Sequence, residues 1–325
     1  MSTLPDPRLV SAAGERIAGR VHRTPLVGTR SLSDRIGATV YLKCENLQKT
    51  GSFKVRGALN QLLQLGPAAR ERGVVTISAG NHAQAVAWAA GQTGARATVV
   101  MPEGASRAKV EASRSYGAEV VIHGNVHEAF EKCHDLAKQR ALTFVHPFDD
   151  PFVIAGQGTT GLEIVEELPE VATVVAPVGG GGLASGIALA LAATGTEAKL
   201  YGVEPEGACA MRRSFDQGFP AKLDRVDTIA DGLAPPMAGD LTFAILSKLA
   251  EDIVVVTDDE IREALRLILA RTKLLVEPAG AAAVAALISG RIPTKHGPVV
   301  AILSGGNIDA GRLASLLTHN DGMES

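Results

Sequence analysis

The sequence predicts an α/β protein whose mostly parallel sheets are divided between two lobes. Short runs rich in β-branched residues alternate with amphipathic stretches, which is typical of parallel strands connected by helices. The 325 residues exceed the ~100–200 residues of an ordinary single domain, so two lobes are expected. Glycine is abundant at 35 residues and aromatic residues make up only 4%, which suits helices packed closely on sheets through small side chains.

Seven runs are predicted to be strands: Val74–Ile77, Thr98–Met101, Glu119–Ile122, Thr173–Val178, Leu200–Val203, Ile253–Thr257 and Pro298–Ser304. The segment Asp149–Pro151 interrupts the alternation between two of these runs. We therefore expect residues 50–149 to form a small domain. The flanking segments, residues 1–49 and 150–325, then combine into a large domain.

Composition and charge exclude several classes of protein. The chain is 46% hydrophobic and 21% charged with a net charge of −3, which gives no sign of a nucleic-acid partner. The cysteines Cys44, Cys133 and Cys209 form no CxxC pair, so reduced thiols in the cytoplasm are expected. The first ten residues lack the features of a signal peptide, and no apolar run approaches the ~20 residues of a membrane helix.

Lys54 stands where the sequence predicts the first turn of a helix, because apolar residues follow at helical spacing and Ser52 is a suitable N-cap. The positive end of the helix dipole opposes the charge of a lysine at that place. This dipole and burial both favour the neutral amine, which attacks aldehydes to form an imine. Lys54 is therefore a candidate Schiff-base lysine; the alternative is a surface lysine whose charged head reaches solvent.

A second junction follows the predicted strand Val74–Ile77 and consists of Ser78, Ala79, Gly80, Asn81 and His82. Free N–H groups at the start of the next helix can bind a carboxylate or phosphate, and Ser78 and Asn81 add side-chain hydrogen bonds. The alternative is that Ser78 and Asn81 are ordinary helix caps and that His82 is structural.

A third junction contains four consecutive glycines between a predicted strand and a predicted helix: Gly179, Gly180, Gly181 and Gly182, followed by Leu183. Four glycines cost considerable chain entropy, and the need to cradle a phosphate with bare N–H groups explains them. A flexible loop is the alternative.

The same glycines also fit a different cofactor. Gly179-x-Gly181-x-x-Ala184 matches the dinucleotide fingerprint, and Glu204 ends the next predicted strand, where a ribose-binding acid is expected. A nicotinamide-dependent dehydrogenase is therefore an alternative, although it gives no role to Lys54.

Together these segments resemble the fold type II, or β-family, pyridoxal-phosphate enzymes, which share the fold of the tryptophan synthase β-subunit. Among these enzymes the serine/threonine dehydratases, also called threonine ammonia-lyases, are the most similar. The resemblance runs from Arg23 to Asn307 and rests on six segments: Lys43–Asn46, Ser52–Gly57, Ser78–His82, Ala155–Thr159, the glycine run, and Glu277–Gly280.

The resemblance implies pyridoxal 5′-phosphate as the cofactor, held mainly by the large domain. Lys54 would form the imine with it and act as the catalytic base, and Phe53 would pack beside its ring. Asn81 would bond its phenolic oxygen, Gly179–Leu183 its phosphate, and Ser304 would face its pyridine nitrogen. A neutral hydroxyl at that nitrogen suits elimination better than reactions that need a long-lived carbanion.

The resemblance also implies the reaction: a β-hydroxy amino acid, L-threonine or L-serine in the first place, loses ammonia to give a 2-oxo acid. The substrate carboxylate would lie on Ser78–His82. Related serine racemases carry a serine where this chain has Ala79, so racemisation is disfavoured; dehydration of a 3-hydroxyaspartate or a phenylserine is a further alternative.

Two further expectations concern metal and assembly. Glu204 and Ala208 match two ligands of the divalent-cation site of the racemases, but Ala210 replaces the aspartate, which puts that site in doubt. We expect the protein to form a homodimer or homotetramer. The expected binding partner is a small-molecule amino-acid substrate.

Overall fold

The structure, a computed structural model, describes residues 4–318, so residues 1–3 and 319–325, the outer ends of the predicted large domain, lie outside it. Within this range the chain forms ten strands: β1 (Leu26–Gly28), β2 (Val40–Lys43), β3 (Val74–Ile77), β4 (Ala97–Met101), β5 (Glu119–Ile122), β6 (Thr143–Phe144), β7 (Thr173–Pro177), β8 (Lys199–Pro205), β9 (Asp252–Val256) and β10 (Val299–Ile302).

The strands form two sheets. The larger sheet has the order β1-β2-β10-β7-β8-β9 and is parallel except for β1, which pairs antiparallel with β2. The smaller sheet has the order β5-β4-β3-β6 and is parallel throughout. This arrangement confirms the predicted α/β class with two open, mostly parallel sheets.

Fourteen helices of at least six residues connect the strands in the described part of the chain: α1 (Arg8–Ile17), α2 (Arg30–Ile36), α3 (Lys54–Leu63), α4 (Pro67–Arg72), α5 (Asn81–Thr93), α6 (Arg107–Ser115), α7 (Val126–Gln139), α8 (Pro151–Glu167), α9 (Gly182–Thr194), α10 (Ala210–Gln217), α11 (Asp240–Leu249), α12 (Asp258–Thr272), α13 (Pro278–Ile288) and α14 (Ala310–Thr318). None of the helices between residues 4 and 318 has the length and apolarity that crossing a membrane requires.

All seven predicted strands are present, with ends that differ by at most two residues. The sequence analysis missed β1, β2 and β6. Two of these have only two or three residues, and β2 ends on the charged residue Lys43, so none gives a long apolar run. The strands of the smaller sheet all come from residues 74–144, and the division into domains at residues 50 and 149 stays a prediction.

Local sequence explains the central elements. Strands β7 and β10 are buried along their whole length, as expected of parallel strands covered on both faces. Helix α8 begins at Pro151, and the Asp150 carboxylate accepts hydrogen bonds from the backbone N–H groups of Phe152 and Val153. Proline at the first helical position and aspartate before it are both favourable there.

Helix α8 packs against α3 and α9 at backbone distance. A Cβ atom added to Gly156 would lie 2.5 Å from the carbonyl oxygen of Arg56 in α3. A Cβ atom on Gly158 would lie 2.6 Å from the carbonyl oxygen of Gly186 in α9. The two glycines of the Ala155–Thr159 segment therefore allow α8 to pack closely against both α3 and α9. Helix α3 begins at Lys54, and α9 begins within the glycine run.

We predict that Gly156→Ala lowers the free energy of unfolding by about 1–3 kcal/mol, because its methyl group forces α8 and α3 apart. The matched control is Gly91→Ala in α5, where an added Cβ meets no atom within 4 Å. That change should be neutral or stabilise by up to about 1 kcal/mol. Denaturant unfolding of both variants measures the difference, and equal effects in the two helices would contradict this packing.

Candidate active site

Lys54 is the first residue of α3, as predicted. The prediction that Ser52 caps this helix is wrong: Phe53 occupies the N-cap position, and no side chain bonds to the helix start. Ser52 is instead extended and forms an isolated antiparallel bridge with Gly305. Sequence spacing identified the first turn correctly, but the partner of Ser52 lies more than 250 residues along the chain.

The bridge between Ser52 and Gly305 brings Lys54 and Ser304 together. The Phe53 N–H donates to the carbonyl oxygen of Ser304 at 3.1 Å, and the Gly306 N–H donates to that of Gly51 at 2.9 Å. Ser304 is buried, and among the described residues its hydroxyl makes only a long hydrogen bond of 3.4 Å, to the Ala279 carbonyl oxygen. The predicted cofactor residues Phe53, Lys54 and Ser304 thus lie side by side.

A buried cluster of charges holds the start of α3. Arg56 donates to both carboxylate oxygens of Glu45 at 2.8 Å and to Glu163 at 2.6 and 2.9 Å. The Lys43 amine contacts Glu163 at 2.8 Å and donates to the Thr24 carbonyl oxygen at 2.7 Å. Burial alone would raise the pKa of Glu163, but Arg56 and Lys43 outweigh it and lower that pKa. The cluster explains the charged residues of the Lys43–Asn46 segment and orients the turn that carries Lys54.

The Lys54 amine hydrogen-bonds to a backbone carbonyl oxygen and lies beside an aromatic ring. It donates to the carbonyl oxygen of Pro147 at 2.8 Å and lies 5.2 Å from the centre of the Phe53 ring. Burial lowers the pKa of Lys54 to about 8, although Glu277 opposes this shift. A substantial fraction of the amine is therefore neutral near pH 8, as an amine that forms an imine requires.

The glycine run connects β7 to α9. Within residues 4–318, no backbone N–H from Gly179 to Leu183 donates a hydrogen bond to another protein group. Gly181 has a φ of 93°, and a Cβ there would lie 2.8 Å from that of Thr242. A Cβ on Gly180 would lie 2.3 Å from the ring of Phe148. Five free donors at a helix start form a site for an anion, and a side chain in place of Gly180 or Gly181 would clash with its neighbours.

The predicted anion-binding turn lies between β3 and α5. The Ser78 hydroxyl accepts a hydrogen bond from the Gly80 N–H at 3.1 Å, and Ser78, Ala79 and Gly80 are partly accessible. The His82 ring is buried, with Nε2 3.2 Å from the Val145 carbonyl oxygen. Burial, together with the nearby Lys54, lowers the pKa of His82 to about 3, so the ring is neutral and Nε2 donates that bond.

Asn81 begins α5 and contacts two residues from distant parts of the chain. Its amide nitrogen donates to the Glu277 carboxylate at 2.6 Å, and its amide oxygen accepts from Asn307 at 2.8 Å. Burial raises the pKa of Glu277 to about 7, although the hydrogen bond from Asn81 acts to lower it. One N–H of Asn81 remains for a ligand.

Glu204 has a structural role in this geometry. Its carboxylate accepts from the Met211 N–H at 2.9 Å and the Arg212 N–H at 2.7 Å, at the start of α10. Burial raises its pKa to about 8. In the described portion of the chain no three His, Cys, Asp or Glu residues are grouped to hold a metal ion. The metal role of Glu204 stays a prediction.

Sequence reasoning assigned no function to the residues that support the glycine run. The Asp149 carboxylate accepts from the N–H groups of Leu241 and Thr242, both at 3.0 Å. The Thr242 hydroxyl donates to the Gly180 carbonyl oxygen at 2.7 Å. Nothing in the sequence near Asp149 or Thr242 indicates these contacts.

The fold and this site define a class of enzyme. Residues 17–305 match the family profile described as pyridoxal-phosphate dependent enzyme, and the chain belongs to that family. The cofactor is therefore pyridoxal phosphate, as predicted, and the dehydrogenase alternative is set aside. The carboxylate of Glu204, which that alternative assigned to a ribose, is bonded to the start of α10.

Within the family the chain is similar to enzymes that act on hydroxy amino acids. It is 46% identical to L-threonine ammonia-lyase of Geobacter sulfurreducens over 302 residues, covering 93% of this chain and 75% of the relative. The crystal structure of a T.th. threonine deaminase superposes with a TM-score of 0.89 at 42% identity, covering 94% and 99% of the two chains. Maize serine racemase gives a TM-score of 0.93 at 36% identity, covering 96% and 97%.

The residues present fit pyridoxal phosphate. The free N–H groups from Gly179 to Leu183 suit a phosphate, and the Lys54 amine suits an aldehyde. Asn81 has a spare donor for an oxygen, and the weakly bonded hydroxyl of Ser304 can turn to a ring nitrogen.

We predict that in cofactor-free protein the reactivity of Lys54 toward an acylating reagent rises with pH with a midpoint at about 8 and levels off above it, as the amine becomes fully neutral. Solvent-exposed lysines have pKa values near ~10.4, so their reactivity continues to rise. Competitive labelling followed by peptide mass spectrometry compares Lys54 with the surface lysines in one sample. A Lys54 profile parallel to theirs would show that burial does not lower its pKa.

Proposed function

We propose that the protein is a pyridoxal-phosphate-dependent dehydratase, or ammonia-lyase, that converts L-threonine and/or L-serine to the 2-oxo acid and ammonia. The observation that carries this proposal is the Lys54 amine, poised near neutrality at the start of α3 beside the glycine run and Ser304. Similarity to L-threonine ammonia-lyase and to threonine deaminase supports the choice of substrate.

In this proposal Lys54 binds the cofactor covalently and Phe53 packs beside its ring. The N–H groups of Gly179–Leu183 hold the phosphate, Asn81 donates to the phenolic oxygen, and Ser304 bonds the pyridine nitrogen. The free donors of the glycine run and the spare N–H of Asn81 support these roles. When bound, the cofactor supplies an aldehyde that holds the substrate amino group and a ring that stabilises charge at the α-carbon.

The substrate carboxylate binds at the turn formed by Ser78, Ala79, Gly80, Asn81 and His82, where backbone N–H groups meet the start of α5. The Lys54 amine, once released, takes the α-proton as general base, because its lowered pKa gives it a larger neutral fraction than an ordinary lysine has. The Pro147 carbonyl oxygen accepts from this amine and keeps it in the cleft. The β-hydroxyl then takes up a proton and leaves as water, and a second water hydrolyses the released unsaturated amine to the 2-oxo acid and ammonia.

Serine racemisation is the second candidate, favoured by the similarity to maize serine racemase. A racemase needs an acid/base group on each face of the α-carbon. Ala79 has no proton to give where the related racemases carry a serine, which favours elimination. Dehydration of a 3-hydroxyaspartate or a phenylserine differs only in the side-chain pocket, to which Phe148 and Asp149 contribute in this proposal.

The remaining assignments are also proposals. Residues 50–149 form the small domain, and residues 1–49 and 150–325 form the large, cofactor-binding domain. The protein works in the cytoplasm as a homodimer or homotetramer, with an amino acid as its partner and without a membrane or nucleic acid. Glu204 binds a metal ion in this proposal through the lone pairs that remain beside the hydrogen bonds from Met211 and Arg212.

We predict that purified protein with pyridoxal phosphate forms 2-oxobutanoate from L-threonine or pyruvate from L-serine, and that Lys54→Ala reduces the rate by at least about 10³-fold, since it removes both the covalent anchor and the base. A panel of β-hydroxy amino acids, assayed for 2-oxo acid with chiral analysis of residual serine, tests this. The control is Lys49→Ala, a lysine five residues earlier whose amine lies over the Trp88 ring.

Two results would contradict the proposal. A Lys54→Ala variant with normal turnover would remove the assigned base. If D-serine forms as fast as pyruvate, the protein is a racemase and not a dehydratase. The acid on the second face of the α-carbon would then be a group other than the side chain of residue 79.

A further inference from the structure

Four polar groups from distant parts of the chain form a line of hydrogen bonds in the cleft. The Asn307 amide nitrogen donates to the Thr50 carbonyl oxygen at 2.6 Å and to the Asn81 amide oxygen at 2.8 Å. The Asn81 amide nitrogen then donates to Glu277 at 2.6 Å. The line therefore runs from the turn before Lys54, through the carboxyl end of β10 and the start of α5, to the residue before α13.

The direction of this line is fixed at the Thr50 end. A backbone carbonyl oxygen can only accept hydrogen bonds, so Thr50 requires a donor. Asn307 must turn its nitrogen to Thr50, and its second N–H then faces Asn81. Asn81 must in turn present its oxygen to Asn307 and its nitrogen to Glu277. Only one orientation of each amide satisfies all three hydrogen bonds.

The backbone is shaped to keep this line in place. Thr50 has a φ of 58°, in the left-handed region that a β-branched residue such as threonine rarely adopts. That conformation turns its carbonyl oxygen toward Asn307. A Cβ on Gly305 would lie 2.4 Å from the Glu277 carboxylate oxygen and 3.2 Å from the Asn81 nitrogen, so only a glycine leaves room for their bond.

One donor remains after these bonds are counted. The Asn81 nitrogen has two N–H groups, and Glu277 takes one of them. We propose that Asn307 and Glu277 are positioning residues that lock the Asn81 amide so that its second N–H, and never its carbonyl oxygen, faces the phenolic oxygen of the cofactor. This inference rests on the proposed function, because it presupposes the cofactor in that cleft.

The consequence is a preference for the ionised phenolic oxygen. An N–H stabilises an oxygen that carries negative charge, whereas an amide oxygen in its place would repel it. The locked amide also places an N–H between that oxygen and the Glu277 carboxylate. Neither Asn307 nor Glu277 needs to touch the cofactor to have this effect.

The test is Asn307→Asp, which keeps the size of the side chain but removes both donors. Asn81 should then rotate to donate to the new carboxylate and turn its oxygen to the cofactor. We expect pyridoxal phosphate to bind about 10- to 100-fold more weakly, because one hydrogen bond to a charged group is lost. The absorption of the bound cofactor should shift from the visible band of the ionised form toward the near-ultraviolet band of the neutral form.

The matched control is Asn46→Asp, in which an amide that donates to the Leu275 carbonyl oxygen is also replaced by a carboxylate. It should lower thermal stability without changing the cofactor spectrum. Combining Asn307→Asp with Glu277→Gln should recover stability, because the new amide can donate to the rotated Asn81 oxygen, but should leave the spectral shift in place. A purely structural role would instead predict that spectrum and stability recover together.

The outcomes separate this inference from the proposed function. If the parent protein binds pyridoxal phosphate and the Asn307→Asp variant shows the parent affinity and spectrum, the locked amide is wrong and the function stands. If the parent protein itself forms no visible-absorbing complex, the proposed function fails first.

Discussion

The site depends on the backbone contacts that helix α8 makes with two other helices. Gly156 touches α3 at the carbonyl oxygen of Arg56, and Gly158 touches α9 at that of Gly186. Since α3 starts with Lys54 and α9 starts in the glycine run, one rigid helix fixes the spacing between a nucleophilic amine and an anion cradle. Glu163 on the same helix pairs with Arg56, so packing and charge restrain the same turn.

A buried arginine and a partly buried lysine, two residues apart on α3, show how hydrogen-bond partners determine the charge state of a basic side chain. Burial disfavours the charged form of both Arg56 and Lys54. Glu45 and Glu163 outweigh that penalty for Arg56 and raise its pKa, so it is a fixed positive anchor. The Lys54 amine donates to a carbonyl oxygen and to no carboxylate between residues 4 and 318, and burial lowers its pKa to about 8. A permanently charged anchor thus supports an amine that readily becomes neutral.

Much of the fold and part of the site could be predicted from sequence for physical reasons. Long buried parallel strands such as β7 give apolar runs, whereas the short β1 and β6 do not. Lys54 and the glycine run were recognisable because each is locally unfavourable unless it has a function. The bridge of Ser52 to Gly305 and the bonds of Asn81 to Glu277 and Asn307 join residues about 200 or more positions apart. Such pairings follow from the tertiary fold and leave no local pattern.

The central claim is that Lys54 carries the cofactor, and one measurement tests it directly. Protein loaded with pyridoxal phosphate is reduced with borohydride, digested, and the peptides are weighed by mass spectrometry. The account predicts a stable pyridoxyl-phosphate adduct on the peptide that contains Lys54 and on no other lysine. An adduct on a different lysine, or none on any peptide from a protein that is active with the cofactor, would contradict it.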